Sequence, residues 1–139
     1  MSLYQNIRGA LQTRAVLAAG FPPADQRAYE GKVFTSTTGV PYARLSLIPS
    51  SARPFALSGQ RRQHRGLFQV DVFCPANQGT APAETLADAI RDQFKPGDRI
   101  PLGSDIVLIG YSERAAALFD AAWTQIPVTV GWSCLTDKT

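Results

Sequence analysis

Three arginines and the chain's only histidine fall within five residues, in the run SGQRRQHRG from Ser58 to Gly66. Guanidinium groups at this density can pair phosphates or carboxylates through parallel N–H donors, and an imidazole beside them can move a proton. Three kinds of chemistry therefore compete for Arg61, Arg62, His64 and Arg65. They are nucleic-acid contact, a catalytic or anion-binding loop, and an arm that docks on another protein.

Catalysis fares poorly on residue types alone. A serine or cysteine nucleophile needs a base within hydrogen-bond reach, and the one histidine sits among arginines whose charge disfavours imidazolium. Asp88 and Asp92 share a helix face at i, i+4 spacing, which is a common arrangement of solvated surface. The glycines of TGVP and SGQRRQHRG lack the spacing of a phosphate-binding loop. The sequence therefore predicts no enzyme, no cofactor and no metal site.

Nucleic-acid binding through a basic arm spanning 53–65 is the alternative reading. Arg61, Arg62 and Arg65 could each neutralise a phosphate, with Arg53 and Arg44 extending the strip. Against it, no base-stacking aromatics are interleaved, no helix-turn-helix pattern is present, and the second half of the chain is acidic. A protein-binding arm fits better, because arginine is the cation favoured at interfaces and the run contains no lysine. Asp88, Asp92, Asp98 and Asp105 are candidate partners in an adjacent copy. A polar outer sheet face carrying Arg44, Gln69, Asp71, Gln125 and Thr129 is a second candidate contact surface. The bland counterparts are a solvated loop and an ordinary water-facing sheet.

The elements that must position these groups are legible from periodicity. Ser2 with Gln5 forms a capping box, and Tyr4, Ile7, Leu11, Ala15 and Ala18 recur at helical spacing until Gly20 and Pro22-Pro23 end the helix. Gly9 inside it costs about 1 kcal/mol relative to Ala and predicts close packing against a neighbour. From Tyr42 to Ile48 the period becomes two, with Ala43, Leu45 and Leu47 inward. The segment from Leu67 to Cys74 repeats it, with Phe68, Val70, Val72 and Cys74 inward. Between them, Pro49 to Gly66 reads as a long connection holding the basic run. A second helix runs from Thr80 to Lys95 with Ala83, Leu86, Ala87, Ile90 and Phe94 on one face. Asp105 to Glu113 contains IVLIGY, apolar on both phases, and predicts a strand covered on both sides or near the sheet centre. The last strand, Trp123 to Cys134, points Ile126, Val128, Val130, Trp132 and Cys134 inward. Pro127 predicts an edge or a bulge there, and the tail after Leu135 is expected to fray. The expected architecture is α+β, a mainly antiparallel sheet with two helices packed on one face.

A chain of 139 residues suits one domain, 1–139, with an extended arm at 50–66. Its net charge of +3 conceals an asymmetry: residues 1–70 carry nine Lys/Arg against two acids (+7), and residues 71–139 carry five against nine (−4). Where such segregation along the sequence is kept in space, it suits head-to-tail contact between copies at least as well as nucleic-acid binding. No apolar run approaches the roughly 20 residues of a membrane span, and the start lacks a signal-peptide pattern, so a cytosolic protein is the expectation. Cys74 and Cys134 read as reduced core residues, with a disulfide conceivable only if their strands bring them together.

The run PYARLSLIPSSARPFALSGQRRQHRGLFQVDVFCPANQGTAPAETLADAIRDQF, preceded by MSLYQNIRGALQTRAVLA and followed by AWTQIPVTVGW, resembles the tail-terminator (tail-completion, minor tail protein U-like) proteins of long-tailed bacteriophages and prophages. Pro41-Tyr42 before a strand ending at Pro49, the segment Gly66 to Phe73, and the closing Ile126-Pro127-Val128-Thr129-Val130 carry the likeness. The resemblance implies an α+β subunit that assembles as a hexameric ring on the finished tail tube, stops its growth and presents the head-attachment surface. It implies self-association, a tail-tube partner and a head-completion or connector partner, without membrane or cofactor. The implied place is the virion tail, reached from the bacterial host cytoplasm during assembly.

Overall fold

The structure is a computed structural model that describes residues 2–50, 53–54 and 61–137, with the backbone alone of Arg53, Pro54, Arg61 and Asp137. The chain opens with helix α1, Leu3–Ala15, started by the expected capping box: Ser2 Oγ accepts from Gln5 N at 3.3 Å, and Gln5 Oε1 accepts from Ser2 N at 2.9 Å. Gly20 takes the left-handed conformation, φ 77°, that lets the chain leave the helical region. A 3-10 turn at Ala24–Gln26 then leads into strand β1, Arg27–Tyr29.

Strand β2, Tyr42–Pro49, is followed by β3, Arg53–Pro54, and by β4, Arg61–Pro75. Helix α2, Ala81–Asp92, comes next, with Pro82 in its first turn where a missing N–H is tolerated. Strands β5 (Arg99–Leu102), β6 (Asp105–Arg114), β7 (Leu118–Phe119) and β8 (Trp123–Asp137) complete the order. The sheet runs β1-β2-β4-β8-β6-β5, with β3 beside β4 and β7 beside β8. Every pair is antiparallel except β1 with β2.

The 15-residue strands β4 and β8 pair along their whole length, from Arg61 opposite Asp137 to Pro75 opposite Trp123. Their inward phases supply Phe68, Val70, Val72, Ile126, Val128 and Val130, all fully buried. The two helices close over this side: Ile7, Leu11 and Ala15 of α1 and Ala83, Leu86, Ala87 and Ile90 of α2 join one hydrophobic cluster with the sheet. Burying each large aliphatic side chain contributes about 1.5–3 kcal/mol, so this face holds most of the fold's stability. The α+β architecture with both helices on one side is as the sequence predicts.

Five expectations need correction. The basic run is strand from Arg61 onward rather than connection, because β8 continues to Asp137 and offers a partner. The same pairing makes Thr136 and Asp137 strand rather than frayed, while residues 138–139 of that expectation lie outside the described residues. Pro127 lies in a central strand. It is tolerated because it faces the gap where β6 has ended and β7 has not begun, and its carbonyl accepts from Ala115 N at 2.9 Å. The bulge is at Gly110 instead, between Ile109 and Tyr111. Gly9 is exposed, and a methyl added to it would meet nothing within 4 Å, so no close packing explains it. Finally, β6 is covered on one side only: Val107 and Ile109 are buried, whereas Ile106, Leu108 and Tyr111 are 43%, 39% and 44% exposed.

Candidate assembly surface

Strand geometry divides the basic run between two faces, since successive side chains point to opposite sides. Arg62 and His64 are on the helix side, in phase with Phe68, and Arg65 is on the outer side, in phase with Leu67. His64 is tied down there. Its Nδ1 lies 3.1 Å from the Tyr4 hydroxyl of α1, and its Nε2 lies 3.0 Å from Oγ1 of Thr136 in β8. Tyr4 also meets the imidazole edge-on, with ring centroids 5.6 Å apart. Burial, and then the charge of Arg62, push the imidazole's pKa below 6.5, while Asp105 opposes them. Both ring nitrogens are thus engaged in joining α1, β4 and β8. The backbones of Arg53 and Arg61 pair with Gln63 and Asp137. Of the expected arm at 50–66, residues 51–52 and 55–60 lie outside the described residues.

The acids expected to receive these arginines are partly committed within the chain. Asp88 accepts from Arg114 Nε at 2.8 Å, and Asp98 accepts from Arg14 Nη2 at 3.2 Å and from Lys95 N at 3.0 Å. Asp92 is exposed on α2, and Asp105 lies beside His64 in a cleft with Arg62 and Ser104.

The outer sheet face has two zones rather than the uniformly polar character expected. Toward the Pro75 end, Asp71 is 2% exposed and accepts from Arg44 Nε and Nη2, at 3.2 and 3.0 Å, and from Gln69 Nε2 at 2.8 Å. Arg44 also lies over the Phe73 ring, which stacks on Tyr42 at 4.4 Å. Arg44, Gln69 and Asp71 therefore satisfy one another, with Gln125 opposite Phe73 and Thr129 opposite Gln69 on β8.

Toward the other end the face is apolar. Exposed Ile48 and Tyr111 flank Leu67 at a shallow groove of about 620 Å³ that Gly110 and Gly131 leave open, and exposed Ile106 and Leu108 lie further along β6. Tyr111 lies directly over Gly131, where any side chain on residue 131 would collide with its ring. Arg65 lines one wall of the groove. Trp132 also contributes to its lining; among the described residues its buried Nε1 has no hydrogen-bond partner. Beyond the polar zone, Leu118 and Phe119 of β7 stand 55% and 68% exposed. Sequence reasoning singled out none of these apolar residues as contacts, although the two-phase apolarity of IVLIGY was the available signal. Among the described residues no His/Cys/Asp/Glu cluster could hold a metal, and no helix is long and apolar enough to cross a membrane.

The family model described as phage tail terminator protein matches residues 6–132. The chain belongs to the phage tail terminator family. Membership gives it a structural role in the phage tail and implies contact with tail and head proteins. No curated protein matches the chain. A solved structure superposes with a TM-score of 0.74 over 96% of this chain and 96% of its own, at 24% identity, a likeness of fold.

Proposed function

We propose that this tail terminator assembles into a closed homo-oligomeric ring, a hexamer in the arrangement its family resemblance suggests, that caps the tail tube. The ring ends tube polymerisation and offers the surface on which the head docks, after assembly in the host cytoplasm. One observation carries the reading. The helix side of the sheet is covered by both helices, while the outer side exposes Ile48 and Tyr111 at a groove and Ile106 and Leu108 further along β6. A contiguous apolar patch on a small folded domain marks an association surface. Unlike surfaces meeting head to tail generate a ring when the rotation closes, and a closed ring has no free edge for lateral growth.

The separation of Arg62 and Arg65 onto opposite faces weighs against a single phosphate-tracking strip and so against the nucleic-acid alternative. The test is solution mass by light scattering after gel filtration, across protein concentration and salt, alone and mixed with tail-tube protein. A ring-sized species, or one that appears only with tube, supports the proposal. A chain that stays monomeric and ignores the tube overturns it.

A further inference from the structure

Strand β7 has an exposed apolar side chain on each flank, Leu118 on the outer side with Gln125 and Phe119 on the helix side with Thr124, and so forms an apolar knob at its edge. This knob and the groove walled by Leu67 and Tyr111 belong to one sheet but sit near opposite ends of β8. Leu118 pairs with Gln125, and the groove is lined at Gly131 and Ser133. Six to eight residues of strand at ~3.3 Å each separate them by about 20–26 Å, so they cannot meet within one molecule. Both are apolar and both are unmet, since no other part of the described chain covers them. Their polar margins are also opposite in sign. The knob is followed by Asp120, whose Oδ1 accepts from the amides of Ala122 and Trp123 and so holds a carboxylate at the tip. The groove is bounded by Arg65.

We infer that the subunit contact of the proposed ring is the insertion of Leu118 and Phe119 of one copy into the groove of the next, with Asp120 facing Arg65. This inference rests on the ring reading and names the two surfaces that reading leaves open. A projecting aromatic seated between apolar walls is the arrangement that usually dominates an interface. Knob and groove are different surfaces, so the contact is heterologous and propagates in one direction, as a ring requires.

Cross-linking between rim positions tests this while leaving both anchors intact. Ala121→Cys lies beside the knob and Ser50→Cys on the groove margin, and both native positions are exposed. Native Cys74 and Cys134, 5% and 1% exposed, stay silent toward a short bis-maleimide. Mixing the two single variants is expected to give a covalent dimer that neither gives alone, and the double variant a ladder of higher species. Adding Phe119→Ser to the Ala121→Cys chain is expected to weaken the association by about 30-fold. The trial is run up to about 1 mM, where even a millimolar contact is half formed. An oligomer by light scattering without the mixed cross-link overturns this contact and leaves the ring standing. Equal cross-linking of each single variant with itself also overturns it, by showing a two-fold contact. A monomer with no cross-link at about 1 mM overturns it too, and the ring is then judged by the tube-mixing experiment alone.

Discussion

The hydroxyl of Tyr4 and Nδ1 of His64, sixty residues apart in sequence, lie 3.1 Å from each other. This contact fastens the first turn of α1 to the strand that carries the basic run, and Thr136 completes it from β8. The histidine that invited a catalytic reading therefore acts as a joint between the two layers of the fold.

Acid should loosen that joint. The native imidazole is held below pKa 6.5 by burial and by Arg62, so the unfolded chain takes up a proton at higher pH than the folded chain. His64 then contributes fully to stability above about pH 6.5, and the contribution is lost as pH falls beneath it. At Glu30 burial works upward, but the hydrogen bonds from Arg8 and Leu47 N outweigh it, so that carboxyl titrates below this window. Thermal melts at about pH 7 and about pH 5 should show a drop for the native chain and a smaller one for His64→Gln; equal drops would remove His64 from the explanation.

The two glycines Gly66 and Gly9 should respond to alanine with opposite signs. A methyl on Gly66 would run into the Ile48 carbonyl, would come within 2.8 Å of Pro49 Cα and would touch Trp132 at 3.0 Å, and two of those neighbours are backbone. Gly66→Ala is expected to cost about 1–3 kcal/mol by denaturant titration, as overpacking does. Gly9 has open space within a helix, so Gly9→Ala should gain about 0.5–1 kcal/mol.

Arg44 and Asp71 should behave as a unit. Asp71 is buried and accepts three hydrogen bonds, two of them from Arg44, whose side chain is half exposed. Arg44→Met leaves a buried carboxylate with Gln69 alone and is expected to cost about 1–3 kcal/mol. Adding Asp71→Asn should recover part of that loss, so a double-mutant cycle with no coupling would refute the pairing.

Neither cysteine should react in the native state. Both are buried and free, and burial pushes the Cys134 thiol up to about 11, with Asp105 adding to the effect. Cys74 lies opposite Thr124 and Cys134 opposite His64, so ten residues of β8 separate them and no disulfide can form. Thiol titration at about pH 8 should count none in native protein and two after unfolding, with and without reductant.

Local patterns were enough for much of this molecule. The capping box at Ser2 and Gln5, the helical spacing of Ile7, Leu11 and Ala15, the apolar face of α2 and the inward phases of β2, β4 and β8 are each written within a few residues. They depend only on helix and strand periodicity. From them follow the α+β class and the buried cysteines. The residues that resemble tail terminators indicated the family as well.

What the tertiary structure alone decided depends on partners distant in sequence. Arg61 to Arg65 became strand because β8 extends to Asp137 beside them, and that pairing then set Arg62 and Arg65 on opposite faces. The short strands β1, β3, β5 and β7 exist only because longer neighbours supply hydrogen bonds, and their own sequences carry no period. The apolarity of IVLIGY was visible, but whether anything covers its outer side depends on where β6 lies in the sheet and on both helices choosing the other face. An apolar strand that would be core beneath a second layer is, where no described residue covers it, an exposed face.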